Sequence, residues 1–204
     1  PDYGIYAGET WPDAQKGHAA MITRLDSAVG RLLQKLKDLG LDENTIVFFA
    51  SDNGPHSEGG ADPDFFDSNG PLRGIKRDLY EGGIRVPLLA RWPGRIATGA
   101  VTDHVSAFWD FLPTCAELAG VQPGAVTDGI SLLPTLLGHP EQQAQHEFLY
   151  WEFHEGGSIQ AVRLGRWKAV RRYGKEVELY DLQTDLGEAK NVTRYQSAVV
   201  ARVK

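Results

Sequence analysis

The sequence predicts an α/β fold followed by a small antiparallel β-sheet. Apolar residues between positions 13 and 39 recur at steps of three and four, the spacing of one helix face. Residues 45–50 then form a short apolar and β-branched run that is typical of a buried strand. Beyond Gly138 the chain changes to short strand-like segments separated by turns that contain glycine. The first two observations indicate helices packed on a parallel sheet, and the third indicates a smaller second layer.

The first helix and strand follow from a clear periodic pattern. Gly40 follows the helix at the position of a left-handed C-cap, and a turn at residues 41–44 leads into strand 45–50. We expect this strand to be buried on both faces, as strands of parallel sheets are. The apolar face of the helix consists of Met21, Leu25, Ala28, Val29, Leu32, Leu33, Leu36 and Leu39.

The middle of the chain predicts a long loop and a second strand. Residues 54–83 are rich in Gly, Pro, Asp, Ser and Asn, and loops of this length are usually functional. A strand is expected at residues 84–90, closed by a turn at residues 92–94. A helix capped by Asp110 should then run to Gly120, and residues 132–137 predict one more helical turn.

The C-terminal part predicts an antiparallel sheet. Its strands are expected at residues 148–153, 159–164, 167–172 and 177–182. We therefore divide the chain into an α/β part at residues 1–138 and a small antiparallel-sheet subdomain at residues 139–204.

The composition excludes several classes of protein. Lys and Arg total 21 and Asp and Glu total 27, so the net charge of -6 excludes the basic field that draws proteins to nucleic acid. Cys115 is the only cysteine, which excludes an internal disulfide, and we expect it to be a small buried group. No apolar run approaches the length of a membrane span. The chain opens without Met or a signal sequence, so we expect it to be processed or to lack an upstream part.

The strongest local signal for a site is Ser51-Asp52-Asn53-Gly54, directly after the predicted strand. In open parallel sheets, ligands bind beyond the carboxyl ends of the strands. A carboxylate beside an amide oxygen suits a hard cation such as Ca²⁺ or Mg²⁺. The alternative is a simple turn, since Asp, Asn and Gly each favour turns.

A second signal is the basic cluster of Arg73, Lys76 and Arg77, which runs into a Gly-Gly turn. Lys76 could bind a sulfate or phosphate oxygen as a point charge, and Arg73 could bind one with two parallel hydrogen bonds. The alternative is a solvated basic loop in which Glu81 and Arg85 form a structural ion pair.

The order of several motifs adds specificity that no single motif has. Residues 45–54 are followed by Gly74-Ile75-Lys76, by residues 80–87 and by Trp92-Pro93-Gly94, and the series continues through residues 110–114, 128–134, 167–168 and 179–182. Residues 25–30 belong to the same series. This order closely resembles the C-terminal half of type I sulfatases, over nearly the whole chain.

The resemblance implies a fold similar to alkaline phosphatase, and hydrolysis of a sulfate ester at one Ca²⁺ ion by a formylglycine derived from Cys or Ser. It implies that Asp52 and Asn53 are metal ligands and that Lys76 binds the sulfate group. His56 follows the metal motif so closely that it could reach the substrate or leaving group, although a polar loop histidine is also unremarkable.

The sequence departs from this family pattern at the nucleophile. Members carry Cys/Ser-x-Pro-x-Arg, an early pair of aspartates that completes the metal site, and a Lys and His pair. None of these is present here, and Cys115 lacks the Pro and Arg. We therefore expect an incomplete Ca²⁺ site, a need for the N-terminal half of the same enzyme as partner, and no activity from this chain alone.

The expected substrate is a sulfated sugar, such as 6-sulfated N-acetylgalactosamine, or an aryl sulfate. Glu152 and His154 lie where the C-terminal subdomain of such enzymes can approach a sugar, and they equally suit exposed strand-end positions. The family also implies a location in the periplasm, the lysosome or the extracellular space.

Two other functions stay open. A phosphatase or phosphonate hydrolase of the same fold would use transition metals, for which the Asn53 amide is a poor ligand. A non-catalytic module would bind sulfated glycans or a partner subunit. The two hypotheses are distinguished by the upstream part of the gene. A Cys/Ser-x-Pro-x-Arg motif there would support the enzyme, and an intact upstream coding region without it would exclude a sulfatase.

Overall fold

The computed structural model describes residues 2–122 and 124–203. Its α-helices are α1 (Asp13–Asp38), α2 (Glu81–Ile84), α3 (Phe111–Leu118), α4 (Leu133–Leu136) and α5 (Ser197–Val203). Its strands are β1 (Val47–Ala50), β2 (Leu88–Arg91), β3 (Leu149–Phe153), β4 (Ile159–Leu164), β5 (Trp167–Arg172) and β6 (Glu178–Asp181). Short 3-10 helices lie at Gly4–Tyr6, Asp42–Asn44, Glu58–Gly60, Pro63–Phe66, Phe108–Asp110, Pro140–Gln142 and Thr193–Tyr195.

Helix α1 and its C-terminal cap confirm the prediction made from the periodic pattern. Gly40 has φ +68° and its N–H donates to the Lys37 carbonyl at 3.0 Å, while the Leu41 N–H reaches the Leu36 carbonyl at 2.9 Å. Two carbonyls of the last turn are thereby satisfied, in a conformation that glycine adopts without steric cost. Among the described helices, none is long and apolar enough to cross a membrane.

Strands β1 and β2 correct the expectation of a parallel arrangement. They pair antiparallel, with Ala50 opposite Leu88. The connection between them starts and finishes at the same end of the strand pair, whereas parallel strands need a crossover to the opposite end. The pair is also less buried than expected, since Phe49 is 39% exposed and Leu89 64%.

The second strand begins four residues later than the sequence predicted. Residues 81–84 form the helical turn α2, in which the Arg85 N–H donates to the Glu81 carbonyl at 2.7 Å. This hydrogen bond holds Ile84 in a helical turn, so the extended run begins only at Leu88.

Helix α3 begins after Asp110 as predicted, but the Asp110 side chain does not cap it. Its buried carboxylate accepts from the Ala107 N–H at 2.8 Å and the Ile130 N–H at 2.9 Å, and lies 2.8 Å from His146 Nε2. It therefore ties three segments together and makes no side-chain cap bond to the helix. Cys115, on this helix, is half-buried, whereas the sequence predicted a buried group.

The four C-terminal strands confirm the predicted antiparallel sheet, in the order β3-β4-β5-β6. Alternate residues of β4 face opposite sides: Ile159 and Ala161 pack with Leu79 and Tyr80, while Val162 packs in the cluster that includes α5. The loop that carries Lys76 thus shares a core with this sheet. The division between residues 138 and 139 stays a prediction.

Candidate functional site

A cleft of about 640 Å³ opens where β1 ends. Asp52, Asn53 and His56 line it from the loop after β1, and Gln15 and His18 line it from α1. Asp62, Asn69 and Arg85 complete the polar lining, together with Ser51 and Ser68. The predicted metal-binding residues therefore face a shared space, as a functional loop would require.

The loop after β1 is shaped by its own hydrogen bonds. Ser51 Oγ donates to the Asn53 carbonyl at 2.7 Å, and Asn53 Nδ2 donates to the Gly54 carbonyl at 2.8 Å. The Asn53 amide nitrogen is therefore already hydrogen-bonded, and Asn53 Oδ1 is the side-chain atom that could bind a cation. Asp52 is exposed and forms no hydrogen bond or ion pair within residues 2–122 and 124–203.

Three glycines bring the loop and the basic segment into backbone contact. A Cβ on Gly54 would lie 1.8 Å from the Gly82 carbonyl oxygen, and a Cβ on Gly83 would lie 2.1 Å from that of Asp78. The Gly54 N–H donates to the Gly83 carbonyl at 2.9 Å, and the Lys76 N–H donates to that of Pro55 at 2.8 Å. Only glycine permits this approach, so the separate sequence motifs form one structural unit.

Lys76 lies beside this unit but is absent from the lining of the cleft, and its ammonium has a partner. Its Nζ is 3.1 Å from Glu58 Oε2, and the other Glu58 oxygen is 2.6 Å from Arg77. The hydrogen bonds from Arg77 and then Lys76 lower the pKa of Glu58 to about 2. Glu58 therefore stays charged at ordinary pH, and an anion that binds Lys76 must compete with it.

Arg73 is oriented toward the C-terminal sheet. Its guanidinium donates to the Tyr180 hydroxyl and to the Glu188 carbonyl, both at 2.9 Å, and lies 3.8 Å from the centre of the Tyr80 ring. It is absent from the lining of the cleft. This geometry favours a structural role, and substrate binding by Arg73 stays a prediction.

Glu152 and His154 also lie outside the cleft lining. Tyr150 and Gln160 donate to the Glu152 carboxylate, and His154 Nε2 is 3.7 Å from it. The turn after β3 nonetheless reaches the basic loop, because Glu155 pairs with Arg77 at 2.9 Å. Sugar recognition by Glu152 and His154 remains a prediction.

A buried ionic cluster anchors α2 to the sheet. Lys168 on β5 is fully buried, and its Nζ lies 2.8 Å from Glu81 Oε1 and 3.8 Å from Glu188 Oε1. Glu188 Oε2 accepts from the Glu81 N–H at 2.6 Å, while Oε1 has no hydrogen-bond partner. Burial raises the pKa of Glu188 to about 7. Because Gly82 and Gly83 belong to α2, this cluster also fixes the position of the candidate site.

Sequence reasoning missed Gln15, His18 and Glu58. Gln15 and His18 are three residues apart on a helix that was interpreted only by its apolar face, and their spacing was the available signal. Glu58 belongs to a polar loop in which no local pattern distinguishes it.

Two family models match the chain. The model described as Sulfatase matches residues 9–121. The chain belongs to the sulfatase family. A second model, described as N-sulphoglucosamine sulphohydrolase, C-terminal, matches residues 74–204 of this sulfatase chain.

Curated relatives of this sulfatase chain include two mammalian enzymes. Mouse N-acetylgalactosamine-6-sulfatase is 36% identical over 180 residues, which cover 84% of this chain and 32% of the relative. Human arylsulfatase A is 44% identical over 154 residues, which cover 72% of this chain and 29% of the relative. The chain thus spans about a third of the length of the curated relatives it matches.

Solved structures agree with the fold of a sulfatase. Ps i-CgsB, in complex with k-i-k-neocarrahexaose, superimposes with a TM-score of 0.82 at 28% identity, covering 96% of this chain and 43% of that one. A protein in complex with its substrate D-glucosamine-2-N,6-O-disulfate gives 0.73 at 26% identity, covering 92% and 37%. Phosphonate monoester hydrolase of Agrobacterium radiobacter gives 0.69 at 25% identity, covering 92% and 38%. The alkaline-phosphatase-like fold implied by the sequence is therefore confirmed.

Proposed function

We propose that these residues are part of an enzyme that hydrolyses sulfate esters of sugars, with Asp52 and Asn53 as Ca²⁺ ligands and Lys76 as the sulfate-binding cation. The observation that carries this proposal is the packing of Gly54 against Gly82, which joins the oxygen-bearing loop to the cationic segment. Oxygen ligands for a hard cation beside a positive side chain suit an anionic ester.

The types of donor atom present suit calcium, although the described residues contain no group of three or more His, Cys, Asp or Glu side chains that could hold a metal ion. Asp52 offers an exposed carboxylate, and the hydrogen bond from Asn53 Nδ2 leaves Asn53 Oδ1 as the second oxygen donor. A bound Ca²⁺ would supply a Lewis acid at the ester oxygens. Two oxygen donors are fewer than the six to eight that Ca²⁺ takes. We propose that the other ligands and the formylglycine nucleophile come from the rest of the enzyme.

Lys76 and His56 would act on the ester group. Lys76 would exchange its contact with Glu58 for a sulfate oxygen and neutralise charge as the S–O bond breaks, while Arg77 keeps Glu58 paired. His56 Nδ1 accepts from the Glu58 N–H at 3.1 Å, which places the ring proton on Nε2 in the neutral imidazole. Since His56 lines the cleft, Nε2–H would donate a hydrogen bond to the sulfate or leaving group.

Helix α1 and strand β2 expose apolar side chains. Leu25 and Leu32 on α1 are 52% and 66% exposed, and Leu89 on β2 is similarly open. Patches of this kind commonly mark interfaces. We propose that the N-terminal half of the same enzyme packs here, and that the chain alone is inactive. From family membership we further propose a periplasmic, lysosomal or extracellular location.

The substrate proposal is supported by the relatives. One curated relative is named for N-acetylgalactosamine 6-sulfate, and one solved structure holds a sulfated glucosamine as its substrate. The rival reaction, hydrolysis of a phosphonate ester, is represented by the Agrobacterium enzyme. The neutral Asn53 amide favours calcium and sulfate over that alternative.

The test measures turnover and calcium content of the full-length enzyme. Asp52→Ala and Asn53→Ala should each remove most hydrolysis of an aryl sulfate and lower bound Ca²⁺, whereas Glu176→Ala, at an exposed loop position before β6, should change neither. Near-normal turnover and calcium in both site variants would refute the metal assignment. A higher kcat/KM on an aryl phosphonate ester than on an aryl sulfate would favour the rival reaction.

A further inference from the structure

A strip of aromatic rings runs from the cleft along the start of α1. His56 lines the cleft and lies edge-on to His18, with ring centroids 6.3 Å apart. His18 stacks with Phe66 at 6.3 Å and 25°, and Phe66 meets Trp11 at 5.3 Å. Phe65 contacts both Phe66 and Trp11, at 4.7 and 5.9 Å. We call Trp11, His18, Phe65 and Phe66 the aromatic platform.

The platform is partly open to solvent. Phe65 is 39% exposed and Phe66 37%, although each packs against other rings. Exposed aromatic surface that adjoins a polar cleft is typical of binding sites. The C–H faces of a pyranose ring are apolar while its hydroxyls are polar, so aromatic rings bordered by hydrogen-bonding groups suit a sugar.

The loop that carries the two phenylalanines is held by its own hydrogen bonds. Asp62 Oδ1 accepts from the Asp64 N–H at 3.1 Å, and the Ser68 N–H donates to the Pro63 carbonyl at 2.9 Å. Gln15 Nε2 ties α1 to the Gly60 carbonyl at 3.5 Å. A surface fixed before binding loses less conformational freedom when a ligand arrives.

The charge around the platform is negative. Segments 6–13 and 57–72 contain no Lys or Arg, and they carry the carboxylates Glu9, Asp13, Glu58, Asp62, Asp64 and Asp67. Asp13 pairs with Lys16 at 3.0 Å, and Glu58 pairs with both Lys76 and Arg77, at 3.1 and 2.6 Å, whereas no salt bridge involves the other four within the described residues. Carboxylates accept hydrogen bonds from sugar hydroxyls and repel sulfate groups.

We propose that the aromatic platform binds an uncharged sugar adjacent to the sulfated sugar whose ester lies in the cleft. The proposal rests on the proposed function and narrows its substrate to oligosaccharides whose neighbouring unit carries no sulfate. The ring planes of Phe65 and Phe66 lie at 87° to each other, so a sugar that stacks on the face of one ring also meets the edge of the other. These contacts supply the binding, and the acidic border excludes a second sulfate.

The test compares three substrates in the full-length enzyme. They are an aryl sulfate, a disaccharide in which a sulfated N-acetylgalactosamine is linked to an uncharged hexose, and the same disaccharide with a sulfate on the hexose. Phe65→Ala and Phe66→Ala should raise KM for the disaccharide with the uncharged hexose by about two- to tenfold, the scale of one aromatic contact. Their kcat/KM on the aryl sulfate should stay within about twofold of wild type. Phe66→Tyr should behave like wild type, and Tyr173→Ala, at an exposed turn, is the matched control.

Equal losses on the aryl sulfate and the disaccharide would overturn the proposal, because they would assign the rings to folding or to contact with another part of the protein. A wild-type preference for the sulfated hexose would also overturn it. Binding of the unsulfated disaccharide, followed by saturation-transfer NMR, tests the platform without catalysis: wild type should bind it and Phe66→Ala should bind it more weakly. Binding without hydrolysis of any sulfate ester would uphold the platform and refute the proposed function, whereas no binding would refute the platform itself.

Discussion

Replacement of Lys168 by methionine tests whether the buried ionic cluster holds α2 in place. Lys168 Nζ is fully buried, 2.8 Å from one oxygen of Glu81 and 3.8 Å from one oxygen of Glu188. Methionine has a similar length but no charge, so the substitution removes the ammonium without opening a large cavity. Glu81 would then lose its nearest cation beside the buried Glu188 carboxyl, whose pKa of about 7 leaves it partly charged at neutral pH.

The structure sets the size of the effect. Removal of one partner from a buried ion pair costs about 3–5 kcal/mol. The guanidinium groups of Arg85 and Arg163 remain 3.7 and 3.8 Å from the second Glu81 oxygen, so part of the charge stays compensated. We therefore expect a loss near the lower end, about 3 kcal/mol. That corresponds to a fall in Tm of roughly 6–12 °C for a domain of 150–250 residues, and to a smaller fall for the longer full-length enzyme.

The assay is thermal unfolding of the full-length enzyme at neutral pH, with Lys175→Met as a control at an exposed turn position. The control should change the unfolding free energy by less than about 0.5 kcal/mol. The double variant Lys168→Met/Glu81→Gln should recover part of the loss, because it removes one of the unpaired charges. A Tm for Lys168→Met equal to that of the control would refute the reasoning. A double variant no more stable than Lys168→Met alone would also refute it.

Three further predictions test neighbouring parts of the molecule. Gly54→Ala should prevent accumulation of folded enzyme, because the new Cβ would lie 1.8 Å from the Gly82 carbonyl oxygen, whereas Gly30→Ala on α1 meets nothing within 4 Å and should fold normally; comparable soluble yields would contradict the packing argument. For Glu188, the pKa is about 7 when folded against 4.5 normally, so its contribution to stability falls as pH rises from about 4.5 to about 7, and Glu188→Gln should flatten that part of the stability profile in chemical denaturation at several pH values. An unchanged slope would show that Glu188 does not titrate there. Lys76→Ala should lower kcat/KM on an aryl sulfate by roughly two orders of magnitude and Arg77→Ala by much less, because the proposal gives the sulfate contact to Lys76 and leaves Arg77 paired with Glu58 and Glu155; steady-state kinetics with the opposite ranking would contradict the role given to Lys76.

Local patterns determined much of the secondary structure. The three- and four-residue spacing and Gly40 were sufficient for α1 and its cap, because helix periodicity and a left-handed glycine depend on neighbouring residues alone. The bounds of β4 and β5 were predicted without error, since glycine-containing turns flank alternating residues there. The series of motifs was also sufficient to predict the family.

Tertiary structure decided how these elements meet. The antiparallel pairing of Ala50 with Leu88 depends on where a 37-residue connection returns, which no local pattern encodes. The sequence located Asp52 and Lys76 as separate signals, but only the backbone contacts of Gly54 with Gly82 and Gly83 show why both motifs contain glycine. The partners of charged side chains were likewise invisible in the sequence: Glu58 meets Lys76 across 18 positions, and Glu81 meets Lys168 across 87. Such pairs depend on the packing of distant segments, because charge alone does not specify which opposite charge a side chain will reach in the folded chain.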